Sequence, residues 1–454
     1  MGFWTKKKCD EVREGASRSD LKKNLGAWDL VNLGLGGIIG SGIFVITGYA
    51  AAKYAGPAIT VSYFLAAICC IFTALAYAEL ASMLPVAGSA YSYAYVIFGE
   101  GIASILGWAI LMVCTFGASA VGSGWSSYAV GILESFGIFL PSMLTHIPAD
   151  GGIVNLPAVL IVLFLCLVVM QGTDKVAKWN GLLVYGKLFA IFLFLAFAFP
   201  HVDFGNWSDF APHGLAGIMS GAGFIFYAYT GFDAVATAAE ECRNPNRDLP
   251  IGIIGSLVGS ALLYIVVSGV LTLIVPYGTL ENAEPMARAL RAIGVDQGAR
   301  IVAAGALAGF TTVILSQLYS QSRILMVMAR DGNFFAACTR IDPVSKTPRI
   351  GIVASGIVIA LIAGFSPVAR LGQLSSMSTL LVFASASFSV IMARLQFPDE
   401  KRTFRCPWVY VVASIAVLLS MYLFCGLFLE NALPFTIAFS GGVISYVFFA
   451  IRKR

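Results

Sequence analysis

Charge is what this sequence has least of. Only 12% of its 454 residues are Asp, Glu, Lys or Arg, against about 25% in an ordinary soluble domain. So little charge could not wet the surface of a water-soluble protein of this size. That excludes a soluble globular enzyme, and no enzymatic activity is expected. Intrinsic disorder is excluded too, because it needs high charge and few aromatics, whereas Phe, Trp and Tyr make up 13% of the chain. The 9 cysteines follow no metal-ligand spacing and no CxxC pattern. Neither a metal site, nor a cofactor, nor a disulfide framework is expected. The net charge of +5 is small and gives no reason to expect a nucleic-acid partner.

What the chain has is apolar length. Hydrophobic residues make up 58% of it, and its mean hydropathy is +0.84. Barrel strands alternate apolar and polar residues. Here the apolar runs extend for about twenty residues, the length of a helical span. The fold class is therefore an all-α integral membrane protein. Residues 1–26 are polar and read as a retained cytoplasmic tail, since a secretory signal turns apolar promptly. Twelve apolar segments follow, near 28–52, 58–84, 98–126, 153–172, 179–200, 214–239, 250–275, 299–328, 350–366, 371–394, 407–429 and 432–451. The amphipathic stretch 280–298 reads as a short external helix.

The placement of Lys and Arg orients these segments. With the N-terminus inside, 23 of the 29 fall on the cytoplasmic side and 5 (Lys53, Arg288, Arg291, Arg300 and Arg370) outside. An odd number of spans would scramble that segregation, so twelve spans with both termini cytoplasmic are expected. One basic residue sorts to neither side. It is Lys187, in the middle of segment five.

Segment one reads LVNLGLGGIIGSGIFVITGYAA, with Gly34, Gly36, Gly37, Gly40 and Gly42 within nine residues. Each interior glycine weakens a helix by about 0.5–1 kcal/mol relative to alanine, so local unwinding is expected at Ile39–Gly42. Close helix packing on small residues is the alternative. Segment six repeats the feature: Gly214, Gly217, Gly221 and Gly223 precede Phe224, Phe226, Tyr227 and Tyr229, and then Thr230-Gly231. Segments one and six open two five-span halves that insert with opposite orientation. Paired glycine-interrupted helices at matching positions point to a transporter's midplane site. The arm beginning near Ser41-Gly42 would direct free N–H groups at a carboxylate. Carbonyls near Tyr227, Ala228 and Thr230, left unpaired by the second break, would suit an ammonium. Together they describe a receptor for the zwitterionic head of an amino acid.

Lys187 lies too deep to snorkel, and a lysine at such depth costs about 2.5–3.5 kcal/mol on insertion scales. It is a candidate proton carrier. A structural amine bonded to carbonyls at a helix break is the bland alternative, and a Schiff-base lysine a remote one. Glu79 reads as a gate or packing residue. Asp233 is either a proton-path member or a bond holding the inner arm of segment six. Ser316 and Gln317 either face the cavity, contacting the substrate side chain, or bond a neighbouring helix.

Four motifs carry a family likeness: GSGIF (Gly40 to Phe44), YAELASMLPVAGSAY (Tyr77 to Tyr91), FYAYTGFDAVATAAEE (Phe226 to Glu241) and ARDG (Ala329 to Gly332). With them the chain resembles the amino acid–polyamine–organocation superfamily, and within it bacterial amino acid permeases related to the cationic amino acid transporters. The resemblance implies a LeuT-type fold of inverted repeats, residues 27–200 and 214–394, with residues 407–454 forming two peripheral spans and a short cytoplasmic end. It implies that the substrate carboxylate meets Gly40, Ser41 and Gly42. The ammonium meets carbonyls of Tyr227, Ala228 and Thr230, with Ile38 nearby. In proton-coupled relatives a span-five lysine takes the place of sodium, and Lys187 matches it. Relatives of the cationic transporters often carry an acid after a Gly-Trp pair in span three, but here Gly107-Trp108 is followed by AILMVCTFG.

The expected function is proton-coupled symport of small or medium neutral amino acids across the cytoplasmic membrane. The expected partners are the amino acid, the proton and the lipid bilayer, with a small membrane subunit left open. The alternatives are an exchanger with a structural Lys187, transport of cationic amino acids or polyamines, and a non-transporting amino acid sensor.

Overall fold

Backbone in lipid must satisfy its own hydrogen bonds, so the apolar runs are expected to fold as helices. A computed structural model describes residues 3–17, 21–282 and 284–452. Arg18, Lys453 and Arg454 of the basic inventory, and the Tyr227 side chain, lie outside the described residues. Among the described residues the chain is helical throughout and has no strand, only an isolated bridge between Leu25 and Cys242.

The first apolar run forms α1 (Ala27–Ile38), a break, and a second arm, α2 (residues 42–55), of mixed α and π pitch. There follow α3 (Ile59–Met83), α4 (Ser89–Ile97), α5 (Glu100–Ser135), α6 (Leu156–Val169) and α7 (Thr173–Ala198). The chain continues through α8 (Gly214–Ile225), α9 (Pro245–Ile274), α10 (Pro285–Ala292) and α11 (Asp296–Arg330). It ends with α12 (Arg349–Phe365), α13 (Val368–Gln396) and α14 (Val409–Arg452). Eight helical stretches among the described residues are long and apolar enough to cross a membrane, the first of them, Ala27–Met83, holding α1, α2 and α3 together. Helices α6, α8 and α12 are apolar but shorter.

Several boundaries differ from the sequence expectation. Helix α5 continues to residue 135, well past 126. Its Ser- and Gly-rich second half reads as polar, but those serines turn inward: Ser123 donates to the Ala363 carbonyl at 3.1 Å and Ser126 bonds Asn155 at 2.5 Å. Helix α4 falls in a stretch expected to link two spans, and every one of its residues is buried. In α14, Asn431 leaves helical geometry (φ −125°), between the two segments expected at 407–429 and 432–451. Helix α10 lies within the stretch expected to be an external helix.

The helices pack in pairs that recur along the chain: α3 with α9, α5 with α11, and α6 with α12. Helix α7 packs on α11, and α13 packs on α5. Hydrophobicity is turned outward. Leu160, Phe164 and Leu167 of α6, Phe189 and Phe192 of α7, and Leu418 and Leu433 of α14 are exposed. Buried apolar and aromatic residues make most of the helix contacts, and serines and threonines join them, as Ser119 does in donating to the Ile359 carbonyl at 3.0 Å. A soluble monomer rarely exposes contiguous apolar surface on this scale.

The N-terminal tail lies across one end of the bundle. Lys7 pairs with Asp331, and Arg13 bonds the Met83 carbonyl (2.9 Å) and Glu400 (2.7 Å). Buried acids cluster at this tail face. Glu79 takes a two-point contact from Arg394 (2.6 and 2.9 Å) and the Cys406 N–H (2.7 Å). Glu240 pairs with Arg330 at 3.0 Å. Glu241 pairs with the fully buried Arg323 at 2.8 Å and accepts from Tyr319 at 2.8 Å. The opposite end carries Lys53–Glu281 (2.9 Å) and Arg291–Glu284 (3.3 Å).

Candidate functional site

The glycine clusters of segments one and six both interrupt their helices. Helix α1 ends at Ile38, and Ile39 is extended (φ −77°, ψ 99°) before the chain coils again into α2. Helix α8 tightens into a single 3₁₀ turn over Phe226–Tyr229. Gly231 then takes φ +122°, a conformation open to glycine and strained for other residues. Asp233 accepts from the Gly231 N–H at 3.1 Å. The two breaks cross in contact. A Cβ on Gly231 would lie 2.6 Å from the Gly37 carbonyl carbon, and one on Gly42 would lie 2.4 Å from Ala228 Cβ. Only glycine lets the backbones approach so closely.

Lys187 reaches this crossing from α7. It is fully buried. Its Nζ donates to the carbonyls of Leu35 (2.9 Å), Gly36 (3.2 Å) and Ile39 (2.7 Å), and lies 2.8 Å from Thr312 Oγ1. The last carbonyls of a helix lack intrahelical partners and carry the negative end of its dipole. A cation is what that end of α1 favours. Thr312, on α11, also lies 3.0 Å from the Gly36 carbonyl.

Three other backbone oxygens at the crossing accept from tyrosines. Tyr264 on α9 places its hydroxyl 2.8 Å from the Ile38 carbonyl and 3.0 Å from the Ala228 carbonyl. Tyr63 on α3 bonds the Gly42 carbonyl at 3.0 Å. The Ala228 carbonyl, expected to be unpaired, therefore has a donor, because α9 runs directly behind both breaks.

A cavity of about 400 Å³ ends at the first break. Ser41, Tyr49, Phe224, Gly124, Gln373 and Ser376 are among its lining residues, and Glu281 and Asn282 also line it. Ser41 Oγ is buried and has no hydrogen-bond partner among the described residues. Of the described residues expected in the site, Ser41 alone is in that lining. Ile38, Gly40, Gly42, Ala228 and Thr230 are buried at the crossing beside it. Gly40 abuts Val313, 2.5 Å from where its Cβ would be, and its carbonyl accepts from the Ile43 and Phe44 N–H groups, both at 3.3 Å. Gln317 is buried in α11 and is not in the lining, where α13 presents Gln373 instead.

A family model described as amino acid permease matches residues 25–449. The chain belongs to the amino acid permease family. It is 39% identical over 454 residues to the methylthioribose transporter of Bacillus subtilis, covering 100% of this chain and 98% of that one. It is 38% identical over 450 residues to the branched-chain amino acid permease of the same organism, covering 98% and 96%. It is 36% identical over 388 residues to the vacuolar cationic amino acid transporter 4 of Arabidopsis thaliana, covering 84% of this chain and 64% of that one. These relatives are transporters, not enzymes, and this permease is a multi-pass membrane protein.

Sequence reasoning missed Tyr264, Tyr63, Thr312, Gln373 and Ser376. Tyr264 stands in an apolar run (ALLYIVV) where nothing local marks a tyrosine as a ligand of distant backbone. Thr312 lies five residues before Gln317 on the helix already singled out, and the donor-rich Lys187 was the one signal that such an acceptor was needed.

Proposed function

We propose that this permease is a secondary transporter that carries small or medium neutral amino acids across the cytoplasmic membrane by alternating access, coupled to protons through Lys187. The observation that carries this reading is the crossing of two glycine-interrupted helices at the end of a cavity, with a buried lysine amine bonded to one of them. The substrate sits between the breaks, its carboxylate at Gly40, Ser41 and Gly42, its ammonium at Ile38, Tyr227, Ala228 and Thr230. The Ser41 hydroxyl, which has no partner among the described residues, supports the first placement. The cavity supports a neutral side chain, because Glu281 in its lining is already paired with Lys53.

The LeuT-type arrangement is part of the same reading, with twelve crossings, repeats over residues 27–200 and 214–394, and peripheral spans beyond 407. It is supported by the packing of α3 on α9, α5 on α11 and α6 on α12, each the matching helix of the other half. The α7–α11 contact is mirrored by α13–α5. The tail face is cytoplasmic and closed by the Glu79, Glu240 and Glu241 ion pairs, so the conformation is open outward. Coupling follows from donor count. An ammonium has three protons to donate and no lone pair, whereas the neutral amine has two and turns its lone pair toward an oxygen. Losing the proton loosens Lys187 from the end of α1 and lets that helix move.

A second reading, an uncharged solute in place of an amino acid, is favoured by the likeness to the methylthioribose transporter. Uptake under an imposed proton gradient into liposomes, either empty or preloaded with an amino acid, separates the possibilities. Accumulation of leucine supports the proposal. Movement only against a preloaded amino acid marks an exchanger, arginine in preference to leucine a cationic transporter, methylthioribose alone the second reading, and binding without flux a sensor.

A further inference from the structure

We propose that the Tyr264 hydroxyl holds the two carbonyls that the substrate's ammonium takes and is displaced from them when an amino acid binds. The inference rests on the reading of the crossing as the amino acid site, and it adds the residue that competes with the substrate's amine for its carbonyls. Tyr264 is fully buried in α9. Its oxygen lies 2.8 Å from the Ile38 carbonyl and 3.0 Å from the Ala228 carbonyl, one belonging to each interrupted helix. These are two of the four carbonyls assigned above to the ammonium.

A hydroxyl carries one proton and serves one of the two carbonyls at a time. An ammonium carries three and serves both together, through charge-assisted bonds about twice as strong as neutral ones. The exchange therefore favours a ligand with an amine and gives nothing to one without it. The hydroxyl's position is set by packing. The Tyr264 ring lies against Tyr63 and Tyr229, with centroids 5.3 and 5.2 Å away. Tyr63 and Tyr229 are anchored in turn, Tyr229 through its hydroxyl to the Tyr63 carbonyl at 2.9 Å and Tyr63 through its own to the Gly42 carbonyl at 3.0 Å. A ring held this way keeps its place when the hydroxyl is removed. The cavity reaches Ser41 but neither Ile38 nor Ala228. A substrate entering from the cavity thus meets the carboxylate subsite first and the occupied ammonium subsite second.

The test is calorimetric binding to the purified full-length chain and to Tyr264→Phe. The probes are leucine and 4-methylpentanoate, which has the same carbon skeleton and carboxylate without the amine. Removing the hydroxyl withdraws an internal competitor, so leucine binds about 3- to 10-fold more tightly to the variant, the range of one net hydrogen bond. Binding of 4-methylpentanoate stays the same. Should Tyr264→Phe not fold, Tyr264→Met, which also lacks a donor, gives the same result. Weaker or unchanged leucine binding in the variant overturns the proposal, as does equal tightening of both probes. Parent protein that does not bind leucine, or binds it no better than 4-methylpentanoate, overturns the site reading beneath it. Amine-dependent binding without tightening in the variant overturns the role of Tyr264 alone.

Discussion

Lys187 Nζ lies 2.7 Å from the carbonyl of Ile39, the first residue past the end of α1. A helix that stops inside a membrane protein must find donors for its last carbonyls, and here a side chain from α7 reaches those of Leu35 and Gly36. Through Thr312 the same group reaches α11. One buried side chain thus ties three helices together at the place where α1 breaks.

Thr312→Val removes a hydroxyl 2.8 Å from Lys187 and 3.0 Å from the Gly36 carbonyl with little change in shape. The expected cost is about 1 kcal/mol, the net worth of such a bond. It is read as a lowered unfolding midpoint in detergent. An unchanged midpoint would remove Thr312 from the network.

Gly42→Val places branched carbons where a Cβ alone would already be 2.4 Å from Ala228 Cβ. The two breaks must separate to admit it. Apparent affinity for leucine is expected to fall at least about 10-fold, equivalent to about 1.4 kcal/mol, in protein that still inserts. Unchanged affinity counts against the carboxylate subsite as placed.

Arg323→Met leaves Glu241 buried beside Tyr319 without its guanidinium, which lies 2.8 Å away. Breaking a buried ion pair from one side costs about 3–5 kcal/mol. Adding Glu241→Gln removes the stranded charge, so the double variant recovers much of that loss. A thermal-unfolding cycle over the four proteins measures the coupling. Additive losses would mean that the pair does not act as a unit.

Much of the fold could be read in the sequence because its signals are local. Apolar length marks the helices, and glycine clusters mark the two breaks, Ile39–Gly42 and the turn before Gly231. Lys187 stands out by its depth alone. The residues that were not legible act across the fold. Tyr264 serves carbonyls 226 and 36 residues away in the chain, and Glu79 meets an arginine 315 residues on. Gln317 and Gln373 are alike in sequence, each a polar residue in an apolar run. Which one lines the cavity depends on the rotation of α11 and α13 about their own axes, and that is fixed by packing. Helix α5 outran its expected end for a related reason, since serines that satisfy neighbouring carbonyls do not end a buried helix.

The most direct measurement follows protons and substrate together. Liposomes holding the purified permease and an internal pH dye are given leucine outside, with no gradient imposed. Proton symport through Lys187 predicts that leucine acidifies the interior in the parent protein and that Lys187→Ala, inserted to the same level, leaves the interior pH unchanged. Leucine-dependent acidification by Lys187→Ala would contradict the coupling role of this residue.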